Sequence, residues 1–242
     1  IYAVLRLWTL FFPALAADGG TAAPFGGDAL VWGGLATLAF GAIGALASQH
    51  LSRLAGYSII VSAGTLLAAT GLRQPAVTGG ALFYLLSSTL AVSALYLLIE
   101  LIERSREVED EAMRPERAAE DAAAFEPGEP APSGVNLDDA EQALIGRAIP
   151  AAMAFLGLAF IACTLLITGL PPLSGFVAKF ALLSALLSPA GLGLPAAAPG
   201  PASWCLLVLL IGSGLATTIA LSRTGIRFFW APQDRPPPHL RV

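Results

Sequence analysis

The sequence predicts an all-α fold, a polytopic bundle of transmembrane helices with about six crossings. Three observations carry that expectation. Charge is scarce: 12% of the 242 residues are charged, against about 25% in an ordinary soluble domain. Long uncharged stretches alternate with short polar joints, and several reach the roughly 20 apolar residues that a helix needs to cross about 30 Å of hydrocarbon. These stretches are continuous runs of Ala, Leu and Gly rather than alternating ones. Backbone groups in lipid must be satisfied within a helix or a closed barrel, and continuous runs select the helix.

The elements follow in order. A partial first helix spans about Ile1 to Ala16, and a turn rich in Gly, Pro and Asp covers Ala17 to Asp28. The second helix runs from about Ala29 to Ser48. The polar joint Gln49-His-Leu-Ser-Arg53 leads to the third, about Leu54 to Leu72, which Arg73-Gln-Pro75 ends. The fourth helix covers about Gly80 to Ile102. Residues 1–102 thus form one transmembrane unit.

Composition then changes. Glu103 to Arg147 holds thirteen acids, five arginines and four prolines. Mixed charge with few aromatics is the signature of a solvated, partly disordered segment, so 103–147 reads as an acidic cytoplasmic loop. Residues 148–230 form a second transmembrane unit. Its first apolar stretch, Ala148 to Leu187, has 40 residues. As one straight helix it would measure roughly 60 Å, about twice the bilayer, so it must break. The break is written as Gly169-Leu-Pro-Pro-Leu-Ser-Gly175. Pro171 and Pro172 remove two backbone donors, while Gly169 and Gly175 admit unusual backbone angles. An uncharged Pro/Gly/Ala loop, Pro189 to Ala202, precedes the last helix, about Trp204 to Phe229. Residues 231–242 are a Pro-rich tail.

Orientation follows from Lys and Arg in the joints. One side collects Arg53, the five arginines of 103–147, Arg223, Arg227, Arg235 and Arg241; the other holds Arg73. The sets alternate correctly with six crossings if the broken stretch counts as a single passage. The acidic loop and the tail then lie in the cytoplasm. The chain opens inside an apolar run and stops after Pro-rich residues, and so reads as a piece of a longer protein.

Lys179 is the one lysine among thirteen basic side chains. It follows the break by about one helical turn, with no acid nearby in sequence. A charge at membrane depth is costly; it usually faces a cavity or partner and marks an ion path. An amine in that setting can accept and release protons. The structural alternative is a lysine whose four-carbon stem snorkels to the interface. Irregular backbone at membrane depth lines a cavity or is buried in protein, and transporters build midplane sites from such breaks. The alternative there is a plain kink. Gly169, Pro171, Pro172, Ser174 and Gly175 therefore form the second candidate feature.

Arg6, inside the first apolar run, is equally open to structural and functional readings. Ser87, Ser88, Thr89 and Ser93 lie mid-helix. Hydroxyls there can hold a water wire, or simply bond their own turn and neighbouring helices. Glu100 and Glu103 sit at the cytoplasmic end of the fourth helix and read as topological. His50 stands in an exposed joint, and His239 in the tail. Cys163 and Cys205 each sit inside an apolar run, with no disulfide or metal spacing. There is no phosphate-binding glycine loop, no metal cluster and no nucleophile paired with a base. The chain reads as an ion transporter subunit, not an enzyme, with no cofactor and no nucleic-acid partner. Glycines such as Gly41 and Gly44 fit close helix packing.

With these residues in place a resemblance stands out. Gly169-Leu-Pro-Pro-Leu-Ser-Gly-Phe-Val-Ala-Lys-Phe180 resembles the broken-helix signature of antiporter-like membrane subunits, found in respiratory complex I and in Mrp-type cation/proton antiporters. Arg53-Leu-Ala-Gly-Tyr-Ser58 is similar to the family's RLLAYS joint, and Tyr2-Ala-Val-Leu-Arg6 to its YALLR segment. The segment from Gly80 to Arg104 most resembles the D subunit of Mrp (Pha, Mnh) antiporters. The resemblance implies about fourteen helices in two inverted repeats, of which this chain holds the C-terminal part without the final helix. It maps the family's broken-helix lysine onto Lys179; Arg6, Arg53, Ser87, Ser88, Thr89 and Ser93 are candidate supporting polar residues. The family's central lysine would fall just before Ile1, and the Glu/Lys pair of the first repeat further upstream. Complex I relatives often carry His and Lys on the fourth helix, where this chain has Ser88, Thr89 and Ser93. That departure favours the Mrp D type.

The expected function is a proton-translocating subunit of a multisubunit Na+(K+)/H+ antiporter in the bacterial plasma membrane. Its partners would be other antiporter subunits, the lipid bilayer, protons and Na+ or K+. Two alternatives stay open: a proton-pumping N-, M- or L-like subunit of NADH:quinone oxidoreductase, and a non-conducting structural subunit.

Overall fold

The computed structural model describes residues 1–7, 10, 26–123, 151–188 and 198–230, and within them every regular element is helical. Residues 2–7 form a short helical segment with Leu5 buried. The rest of the expected first helix lies outside the described residues, as do most of the Ala17 to Asp28 turn, 124–150, 189–197 and the tail from 231. Six helices follow: α1 Gly27–Ala47, α2 Leu51–Gly71, α3 Pro75–Ala123, α4 Ala151–Thr168, α5 Ser174–Leu187 and α6 Pro201–Gly225. A π-helical turn, Ile226–Trp230, extends α6. Four of these helices are long and apolar enough to span a bilayer, α3 over Pro75–Ser105 and α6 with its extension to Phe229.

α1 and α2 form the tightest pair, because glycine lets their backbones meet. A Cβ at Gly34 would fall 2.8 Å from the Gly64 carbonyl oxygen, and one at Gly64 would fall 2.7 Å from that of Gly34. Close approach through small residues is the usual way for helices to associate in lipid, where apolar burial alone gives little net gain. Gly41 packs on Val61 and Gly44 on the Tyr57 ring, as expected of these two glycines.

Two apolar cores stack along the bundle. One joins the first half of α1, the second half of α2, the start of α3, the end of α5 and the start of α6, around Leu35, Leu38, Leu66, Tyr84, Leu182 and Leu206. The other joins the start of α2, Leu95 to Ile102 of α3, Leu156 to Cys163 of α4, and Ala220 and Leu221 of α6. α4 therefore begins in the second core and α5 ends in the first. The broken stretch makes one passage, as the alternation of the arginines suggested. Outward-facing Phe40, Ile43, Leu86, Leu97, Phe155, Leu158, Val208 and Leu215 stay exposed. In water this surface would drive aggregation; in lipid it is the expected exterior.

The arginines segregate with these cores. Arg53 and Arg104 flank the second core, and Arg223 donates to the Leu46 and Ser48 carbonyls at 2.9 and 2.8 Å. It thereby ties the end of α6 to the end of α1, where unpaired carbonyls favour a cation. Arg227 donates to Gln49 at 2.9 Å. Arg73 stands at the opposite end, beside Gly27.

Three sequence expectations change. Arg53 lies in the first turn of α2, not in a joint, because the chain needs only Ser48 to His50 to reverse. Pro75 opens α3 rather than merely closing the helix before it; the first helical position does not miss the proline's absent N–H. α3 does not stop at Ile102 but continues to Ala123. The first part of the acidic segment is thus helical rather than loop. The charge count points to disorder, but Glu, Arg and Ala are strong helix formers, and they dominate this stretch. The Arg104–Glu100 pair at 3.6 Å sits at the start of the extension. Residues 124–147 of the expected loop lie outside the described residues.

Candidate functional site at the helix break

Between the two apolar cores runs a polar layer, and the break of α4 and α5 sits in it. α4 ends because Gly169 adopts a left-handed φ of 74°, a conformation that costs glycine little. The Gly169 and Leu170 amides then both turn back to the Leu165 carbonyl, at 3.0 and 3.1 Å, a left-handed helix cap of the Schellman type. Pro171 and Pro172 cannot extend the helix, and extended Leu173 starts α5.

A helix C-terminus leaves four carbonyls without helical partners. Leu165 is satisfied by the cap. The Leu166 carbonyl faces Gly175, where any Cβ would collide with it. The last two point at Lys179: its Nζ donates to Ile167 O at 3.1 Å and to Thr168 O at 2.8 Å. A cation at the negative end of a helix is electrostatically favoured. Lys179 therefore does not snorkel. It folds back against the break, half-buried, and closes it. Gly169 makes room, since a Cβ there would lie 2.6 Å from the lysine Cδ. Gly214 of α6 borders Nζ on the other side. The acids whose side chains are described lie away from the break, Asp28 in the first turn of α1 and Glu100 and Glu103 beside the second core, so the ammonium rests on carbonyl dipoles.

Beside Lys179 lies a small cavity lined by Ser62, Tyr84, Ser87, Ser88, Val92, Leu166, Ile167 and Gly175. It leaves about 10 Å³ for the centre of a water molecule, about the minimum one water requires. Ser62 pairs with Tyr84 at 3.3 Å and Ser87 with Ser174, just outside the lining, at 3.4 Å, while Ser88 donates to Leu85 O of its own turn at 3.2 Å. Hydroxyls beside an amine, with room between them for one water, are able to pass a proton.

The structure brings together Lys179, Ser87, Ser88, Ser174 and the break. It does not bring the other predicted side chains there. Thr89 and Ser93 are exposed on another face of α3, and Thr89 bonds its own turn at Leu85 O, 2.7 Å. Arg53 is exposed in α2, and Arg6 is exposed in the segment 2–7. Sequence reasoning missed Tyr84 and Ser62. Tyr84 carried a signal, since it stands three and four residues before Ser87 and Ser88 and so shares their helix face. Ser62 meets them only through the packing of α2 on α3. Cys163 belongs to the second apolar core and Cys205 is exposed. No group of His, Cys, Asp and Glu among the described residues is placed to hold a metal.

Comparison with known proteins finds relatives similar to this chain in sequence. The D subunit of a probable K(+)/H(+) antiporter from Rhizobium meliloti (strain 1021) is 47% identical over 242 residues, all of this chain and 42% of that protein. Over its whole length, the break included, the chain is similar to this antiporter D subunit. The Na(+)/H(+) antiporter D subunit of Bacillus subtilis (strain 168) is 26% identical over 243 aligned residues, with 39% of its length covered. The N subunit of the NADH-quinone oxidoreductase of Rhodococcus opacus (strain B4) is 25% identical over 236 residues, 97% of this chain and 34% of that protein. The chain spans about two fifths of the length of these antiporter subunits. No family model matches it, and neither does a solved structure. It is a multi-pass membrane protein.

Proposed function

We propose that this chain carries the terminal part of the proton path in the D subunit of a multisubunit cation/proton antiporter, exchanging K+ or Na+ for H+. The observation that carries the reading is Lys179, an amine held at mid-bundle by the carbonyls of a broken helix and bordered by a hydroxyl-lined cavity. Protons pass through the Tyr84, Ser62, Ser87 and Ser88 hydroxyls and reside on Lys179. Thr89, Ser93, Arg53 and Arg6 lie outside this path. The arginine-bearing end faces the cytoplasm, in line with the positive-inside rule. Other antiporter subunits complete the route, the chain binds no redox cofactor, and the bacterial plasma membrane is its site.

The likeness to the N subunit of an NADH-quinone oxidoreductase supports one rival, a membrane-arm subunit of that enzyme. Membrane vesicles containing the full-length complex separate the two. A pulse of K+ or Na+ across the membrane, with no NADH, moves protons in the opposite direction if the chain serves an antiporter. Proton movement that requires NADH and ignores the cation pulse rejects that reading in favour of the oxidoreductase.

A further inference from the structure

The two carbonyls that hold Lys179 are more than a resting place for it. Ile167 O and Thr168 O are neutral, converge on one point and, as the last carbonyls of α4, lack helical partners. They already hold one monovalent cation there, the lysine ammonium, at 3.1 and 2.8 Å. Hydroxyl oxygens of Ser87 and Ser88 lie across the adjoining cavity. Neutral carbonyls and hydroxyls are the donor set that replaces the hydration shell of alkali ions, and half-helix C-termini serve this role at midplane sites. A divalent ion would call for carboxylates, and the described acids lie elsewhere. Among alkali ions potassium is nearest to ammonium in size.

We propose that the Ile167 and Thr168 carbonyls, with Ser87 and Ser88, form a binding site for a dehydrated monovalent cation of potassium size, which competes directly with the protonated Lys179 side chain. The inference rests on the proposed proton role of Lys179 and adds the cation's place to it. When Lys179 releases its proton, the electron pair stays on Nζ, the proton leaves through the cavity, and the neutral amine leans aside. The cation then takes the two carbonyls. Reprotonation on the other side of the cycle expels it, because two like charges cannot share a site that no acid among the described side chains neutralises. Gly169 and Gly214, which border the stem and the head of the lysine, place no side chain in its way. One proton is exchanged for one cation at one place, which couples the two flows without a relay between distant sites.

The elements packed around Lys179 face it with few titratable groups. α3 offers Tyr84, hydrogen-bonded with Ser62 of α2. Cys163 of α4 lies in the far apolar core. α6 presents Gly214 at this level, with Ser213 and Thr217 each bonded to their own helix. Lys179 is therefore the group whose charge sets the competition.

Equilibrium binding of radioactive rubidium, a potassium surrogate, to the purified full complex tests this. In the unsubstituted complex, rubidium affinity falls on acidification, up to about tenfold per pH unit for one competing proton. Lys179→Arg keeps a permanent cation on the carbonyls and weakens rubidium binding at least about tenfold. Lys179→Ala retains binding but removes its dependence on pH. Normal rubidium binding in an assembled Lys179→Arg complex overturns the cation site. If Lys179→Ala meanwhile abolishes exchange, the proton reading survives that failure. If Lys179→Ala exchanges normally, the proton reading itself falls.

Discussion

Lys179 and its two glycine neighbours decide the local chemistry. An alanine at Gly169 must adopt a positive φ, at a cost of about 1–2 kcal/mol, and crowds the lysine stem. Gly169→Ala should lower the thermal midpoint of the purified complex. Gly175→Ala should lower it further, because the obstacle there is the rigid Leu166 carbonyl and not a flexible side chain. Equal midpoints for the two variants would contradict the packing described. The cavity hydroxyls make a functional contrast on a single helix. Replacing Ser87 and Ser88 together by Ala should slow cation-driven proton movement about tenfold, a modest loss for a proton relay. Replacing Thr89 and Ser93 together should leave the rate unchanged, since both point away from the cavity. Lys179 and the Gly/Pro break are legible in the sequence, because a lone lysine and two adjacent prolines are visible without a fold. That the lysine closes the C-terminus of α4 is not legible there. It depends on the left-handed turn at Gly169, which sets α5 beyond the end of α4 so that the Lys179 side chain reaches back to carbonyls eleven and twelve residues away.

At the scale of elements, apolar length places the spans well, but local chemistry decides their ends. Pro75 has the look of a stop and serves as a start. Charge density suggests disorder after Ile102, where α3 continues to Ala123. In both places helix propensity and end preferences outweigh composition. The ties between elements make a further expectation. Arg223 holds the α1 carbonyls through two hydrogen bonds, each worth about 1 kcal/mol net at most in this exposed setting. Arg223→Ala should speed amide hydrogen exchange in the last turn of α1 while leaving the first turn of α6 unaffected. Unchanged exchange around Ala45 to Ser48 would remove Arg223 from that role.

At the scale of the whole molecule, the two apolar cores and the polar layer between them give the bundle two chemically distinct ends. The distribution of arginine anticipates this separation; the polar layer is legible only in part, as isolated Ser and Thr residues on separate helices. The proposed orientation predicts labelling from opposite sides. With Cys163 and Cys205 replaced by Ser, Ser105→Cys should react with an impermeant thiol reagent only from the cytoplasm. Gly200→Cys, at the other end of the bundle, should react only from outside. The reverse pattern would invert the topology. The central claim is that a proton resides on Lys179 during exchange. Its most direct test is the initial rate of cation-driven proton movement by the full-length complex bearing Lys179→Ala in reconstituted vesicles, with assembly checked in the same preparation. The account predicts that exchange is lost while the complex remains intact. An assembled Lys179→Ala complex that exchanges at the unsubstituted rate would contradict it.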